Sequence, residues 1–96
     1  MLGQKLRELR EARGFVQRQI AEVLEVDTAY VCKMESNEKP VSRNHLKKLS
    51  KLLAVSEKEL QNLWLADRVL NVLKDEKKAD SKQVIEIVST SIARTI

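Results

Sequence analysis

A chain of 96 residues with 43% hydrophobic content supports one domain with a single modest core. Aromatics reach only 3%, with two glycines and one proline, so strand-forming and turn-forming residues are scarce and an all-helical chain is expected. No apolar run approaches the ~18 residues of a membrane span, the opening MLGQKLRELR has no hydrophobic leader stretch, and one cysteine cannot close an internal disulfide. Together these point to a cytosolic protein.

A first helix is predicted over Leu2 to Arg13, with Leu2, Leu6 and Leu9 on one side and Gly14 as the stop, after which Phe15 enters the core. Gln17 to Glu35 then reads as two short helices around a tight turn. Ile20, Ala21 and Leu24 recur at helical spacing, and Asp27 stands where a carboxylate accepts a bond from the free N–H groups of the next helix. Asn37 suits a left-handed closing residue, Pro40 forbids continuation, and Ser42 is expected to cap a fourth helix carrying Leu46, Leu49, Leu52 and Leu53. Ser56 and Glu59 form an S-x-x-E capping box, so a fifth helix begins near Glu57. It sends Leu60, Leu63 and Trp64 inward and continues through Val69, Leu70, Val72 and Leu73 to about Lys74.

The polar run DEKKADSK interrupts the pattern, with Asp80 or Ser81 as the expected cap of a last segment, VIEIVSTSIARTI. Its β-branched residues suit a strand. Ile85, Val88, Ile92 and Ile96, however, fall on an i, i+3, i+7, i+11 stripe, and a lone strand has no partner in a helical chain, so a sixth helix is expected.

The third helix divides its faces in an informative way. At about 100° per residue, Thr28, Ala29, Cys32 and Lys33 cluster in one direction and Val31 and Met34 in the opposite one. An ordinary solvated face would carry several Glu and Lys; this one is short, polar and basic, with small residues that permit close approach. Two amphipathic helices around any turn share the apolar spacing, so the charge distribution must discriminate. Residues 1–55 hold eleven Lys and Arg against seven Asp and Glu, whereas residues 56–96 hold seven of each. Lys39, Arg43, Lys47, Lys48 and Lys51 run without an acidic residue between Glu38 and Glu57, the stripe expected of a surface that meets phosphates.

The pieces LRELREARGF, QRQIAEVLEVD, AYVCKME and LKKLSKLLAVSEKEL resemble the helix-turn-helix domain of phage repressors, Cro proteins and Xre-type bacterial regulators, over roughly residues 2–65. The resemblance implies a five-helix lambda-repressor-like DNA-binding domain, here residues 1–66, to which the apolar continuation of the fifth helix and the additional C-terminal helix add a 67–96 extension. It also implies double-stranded DNA as partner. Thr28, Ala29 and Lys33 would read base edges in the major groove. Gln17, Arg18, Tyr30, Asn37, Lys39 and Arg43 would meet the phosphate backbone, Gln17 together with the N-terminus of the second helix. Arg10 and Glu35 match a pair that ties the first helix to the end of the third. Two positions depart from the pattern. Val16 replaces the usual polar cap of the second helix, and Glu25 replaces a glycine frequent in the turn, each at a cost of about 1 kcal/mol.

The function expected is a transcriptional regulator acting as a homodimer on a near-palindromic operator, similar in size to the controller proteins of restriction-modification systems. Val69, Leu70, Leu73, Ile85, Val88, Ile92 and Ile96 would form the dimerisation surface, since a lone hairpin would expose them. The alternative is a last helix folded back into a larger monomer core. Other readings are an autorepressing antitoxin that also binds a toxin, or an interaction module that has lost DNA. Cys32 beside Lys33 admits a redox role if exposed, although a small residue tolerated near a backbone is the simpler account. Cys32 and His45 cannot assemble a zinc site and no glycine-rich phosphate loop occurs, so no catalytic residue, metal or cofactor is expected.

Overall fold

The computed structural model describes residues 1–95 and consists of six α-helices joined by short turns, with no strand among the described residues. The helices are α1 (Leu2–Ala12), α2 (Gln17–Leu24), α3 (Thr28–Glu35), α4 (Leu46–Leu53), α5 (Glu57–Val72) and α6 (Lys78–Arg94), with a 3₁₀ turn, Arg43–His45, leading into α4. The core gathers one apolar stripe from each of the first five. Leu2, Leu6, Ile20, Ala21, Leu24, Val31, Met34, Leu46, Leu49, Leu53 and Leu60 are buried, joined by Val41 from the loop before α4. Phe15, Leu52, Leu63 and Trp64 pack against this cluster from its edge.

Three helix ends close in the same way. A residue in the left-handed region, Gly14 (φ 73°), Glu25 (φ 58°) or Ala54 (φ 54°), lets the next N–H reach back. The donors are Phe15, Val26 and Val55, and the acceptors are the carbonyls of Arg10, Ala21 and Ser50, at 3.1, 3.0 and 3.0 Å. Only Gly14 adopts this conformation freely, so Glu25 and Ala54 carry strain of about 1–2 kcal/mol each. Asn37 (φ 65°) lies past the end of α3, where Glu38 N donates to the Lys33 carbonyl at 2.9 Å.

The helix starts differ from expectation in three places. Asp27 and Ser42 occupy positions with extended backbone before α3 and the 3₁₀ turn, yet neither side chain accepts a capping hydrogen bond. The C-terminal helix begins at Lys78, ahead of both proposed caps, and places Asp80 inside its first turn, where a carboxylate suits the positive end of the dipole. Val16 offers no side-chain cap, but the deficit is partly repaired from the other side: Val16 N donates to Gln19 Oε1 at 2.8 Å. Ser56 does cap α5, its Oγ accepting from Glu59 N at 3.4 Å.

Beyond Leu60 the character of α5 changes. Val69, Leu70 and Val72 are exposed and Leu73 is half-buried, and α6 contains no buried residue at all. Val84, Ile85, Ile87, Val88 and Ile92 all face solvent. Ile96, named as the end of that stripe, lies outside the described residues.

Candidate nucleic-acid interface

The second and third helices meet through the stripe that buries Ile20, Ala21 and Leu24 on one side and Val31 and Met34 on the other. This leaves Thr28, Ala29, Cys32 and Lys33 exposed together on the outer face of α3. The side chains there are a hydroxyl, a methyl, a thiol and an ammonium, and three of the four are small, so the helix axis can come close to a partner surface. A partner in the major groove would find donors and acceptors for base edges in Thr28 and Lys33 and an apolar methyl in Ala29.

What holds α3 at its angle is a polar network at its C-terminal end. Arg10 Nε and one terminal amine donate to the two carboxylate oxygens of Glu35 at 2.7 and 3.1 Å, a two-point contact. The other terminal amine of Arg10 donates to the Phe15 carbonyl at 2.8 Å. Gln17 adds a third donor to Glu35, Nε2 to Oε1 at 3.0 Å. The Glu35 and Arg10 side chains are only 5% and 12% exposed, so the charges rely on one another rather than on water. The side-chain amide of Gln17, expected at a phosphate, is thus engaged with Glu35, while its place as the first residue of α2 keeps the helix N-terminus beside it.

Close approach of α1 and α3 depends on Gly3, a residue the sequence did not single out. It is buried, and a Cβ at this position would collide with the Met34 carbonyl and with Asn37 Oδ1. Glycine in the first turn of a helix is otherwise a poor choice, which is the one signal that pointed to it.

The remaining proposed contacts surround the same face. Arg18 is exposed and sits 3.9 Å from Glu22. Tyr30 is half-buried: its hydroxyl donates to the Pro40 carbonyl at 3.0 Å and its ring meets His45 edge-on, with centroids 6.2 Å apart. Tyr30 therefore braces the α3–α4 loop. Asn37, Lys39 and Arg43 are exposed along that loop, with Lys47, Lys48 and Lys51 following on the outside of α4. Arg43 is also held in place, its guanidinium lying 5.2 Å from the centroid of the Trp64 ring. Trp64 donates its Nε1–H to the Val41 carbonyl at 2.6 Å, which fixes the loop just ahead of Arg43. Arg68 approaches the same ring at 4.9 Å. Trp64 and Arg68 share a face because they are four apart on a helix; that this face meets residue 43 was not legible locally.

Among the described residues no group of three or more His, Cys, Asp or Glu could hold a metal ion, and no helix is long and apolar enough to cross a membrane.

The family described as a helix-turn-helix domain matches residues 1–63. Among solved structures, the restriction-modification controller protein C.AhdI from Aeromonas hydrophila is similar, at 37% identity and a TM-score of 0.55, over 62% of this chain and 89% of that one. A chain of the SinR protein/SinI protein complex is also similar in fold, with a TM-score of 0.57 at 20% identity, over 98% of this chain and 100% of that one. No curated protein sequence matches. With residues 1–63 matched and the two helices and their turn arranged as described, the chain belongs to the helix-turn-helix domain family and has the fold of its DNA-binding transcriptional regulators.

Proposed function

We propose that this protein is a sequence-specific regulator that binds double-stranded DNA as a homodimer on a near-palindromic operator, with α3 in the major groove. The observation that carries the reading is the outer face of α3: Thr28, Ala29, Cys32 and Lys33 exposed together while Val31, Met34 and Glu35 are buried behind them. In this reading Thr28, Ala29 and Lys33 meet base edges. Gln17, Arg18, Tyr30, Asn37, Lys39 and Arg43 meet the backbone, with Gln17 exchanging part of its bond to Glu35 for a phosphate at the start of α2. The similarity to a restriction-modification controller supports a compact regulator of that kind. Residues 1–66 serve as the DNA-binding unit and residues 67–96 as the dimerisation element, the exposed Val69, Leu70, Ile85, Val88 and Ile92 packing against a second copy. A two-fold dimer then presents two α3 helices about 34 Å apart, or further if the C-terminal helices space them.

Selection of bound duplexes from random DNA by the purified full chain tests this directly. Enrichment of a two-fold-symmetric sequence is expected, and recovery of no sequence preference overturns it. On the selected site, Lys33→Ala should cost about 1–3 kcal/mol and relax specificity, because it removes a base contact. Arg43→Ala should instead weaken selected and random DNA alike and reduce the salt slope by about 1. Titrations of both duplexes at several salt concentrations separate the two effects.

A further inference from the structure

We propose that Arg68, with Trp64 as its positioning residue, forms a second phosphate grip on α5 beside Arg43, extending the DNA-binding surface beyond the helix-turn-helix. This rests on the DNA reading above. Two guanidinium groups, from Arg43 on the 3₁₀ turn and Arg68 on α5, lie 5.2 and 4.9 Å from the centroid of one indole ring. Neither makes an ion pair or a side-chain hydrogen bond among the described residues. The nearest acid in sequence, Asp67, is engaged elsewhere, accepting from Leu2 N at 2.9 Å.

Two like charges gathered on one ring repel each other, and a π-face attracts each without neutralising either. The arrangement suits an anion arriving from outside. Trp64 is itself anchored by its bond to the Val41 carbonyl, so both guanidiniums are presented from a fixed platform with their N–H groups available. Arg68 also lines an open groove together with Glu38, Lys39, Pro40 and Val41 of the α3–α4 loop and Trp64, Asp67 and Asn71 of α5, where the Asp67 carboxylate is taken up by Leu2 N and the Met1 amino group. The loop that carries the proposed backbone contacts and the α5 arginine therefore border one surface, and a sugar–phosphate strand that runs along the loop meets Arg68 next. Phosphate is the ligand chemistry this geometry recognises, with duplex DNA as its source.

The test uses the full chain, the duplex recovered by selection and a random duplex of the same length. Arg68→Ala should weaken binding to both by about 3- to 10-fold at 0.1 M salt and lower the salt slope by about 0.9, the signature of one lost phosphate contact. Arg68→Lys keeps the charge and loses the stacked fork, so it should fall between the two. Trp64→Leu, with folding verified by circular dichroism, should also weaken both duplexes, as expected if the ring presents the arginines. As the chain's one tryptophan, Trp64 should change its emission on DNA addition in the native protein and respond less in Arg68→Ala. If the native protein binds DNA and Arg68→Ala binds with unchanged affinity and salt slope, this proposal is overturned while the DNA reading stands. If the native protein binds no duplex, both fall.

Discussion

Glu35 shows how much a single buried charge can organise. It sits at the last position of α3, where a carboxylate is disfavoured by the helix dipole, and it is 5% exposed, where a lone charge is more costly still. It is tolerated because Arg10 and Gln17 supply three donors to its two oxygens. Glu35→Ala leaves a largely buried guanidinium with only the Phe15 carbonyl and, at 3.7 Å, the exposed Glu11, and should destabilise the protein by up to about 3–5 kcal/mol, with the cost falling on the orientation of α3 as much as on stability. Thermal melts of Glu35→Ala, Arg10→Ala and the double variant provide the check: the double should be less destabilised than the sum of the singles, and additive losses would show that the residues do not interact.

Between elements, the decisive contact is α1 against the end of α3 at Gly3. Alanine in place of glycine inside a helix ordinarily stabilises by about 0.5–1 kcal/mol, so an exposed glycine here would be an easy improvement. The Met34 carbonyl and Asn37 Oδ1 reverse the sign. Asn37 can rotate away, whereas the carbonyl belongs to the α3 backbone and can yield only if the two helices separate. Gly3→Ala should destabilise by about 1–3 kcal/mol and weaken DNA binding through the displaced helix, measured by denaturant titration and by binding to the selected site. A gain in stability would show that α1 moves aside at no cost. The α2–α3 turn poses the opposite case. Glu25 occupies a left-handed position without steric relief, and the turn persists because the buried Ile20, Leu24 and Val31 over-determine it.

For the molecule as a whole, the two ends of the chain differ in what they bury. The first five helices enclose a core up to Leu60, and from Leu65 onward the exposed residues include Leu65, Val69, Leu70, Val72, Val84, Ile85, Ile87, Val88 and Ile92. An apolar surface of this kind is rare on a soluble monomer. In the dimer proposed above it is covered by its own copy, an isologous contact in which each C-terminal extension meets the same extension. Sedimentation of the full chain should give a dimer at micromolar concentration, and a version ending at Asp75 should sediment as a monomer and bind the selected site more weakly. A full chain that sediments as a monomer would remove the dimer from the proposal.

Periodicity and composition determined the helix count, the stripe each of the first five helices buries, and the division of α3 into an apolar and a small basic face. These are local properties of a 3.6-residue repeat, so Leu2, Leu6, Ile20, Leu24, Val31 and Met34 announce their burial without knowledge of their partners. The positive-φ ends at Gly14 and Asn37 were legible for the same reason. Side-chain capping was not. Asp27 and Ser42 have the right chemistry at the right position, yet whether a carboxylate or hydroxyl turns back to the first amides depends on rotamers the neighbouring elements select. Only the tertiary structure decided that Gln17 joins Arg10 on Glu35, that Gly3 must lack a side chain, and that Trp64 collects Arg43 and Arg68. Each of these contacts joins residues 18 or more apart in the chain, except the helical Trp64–Arg68 neighbours. Their meeting follows from how the stripes pack, a property of the assembled core that no single segment carries.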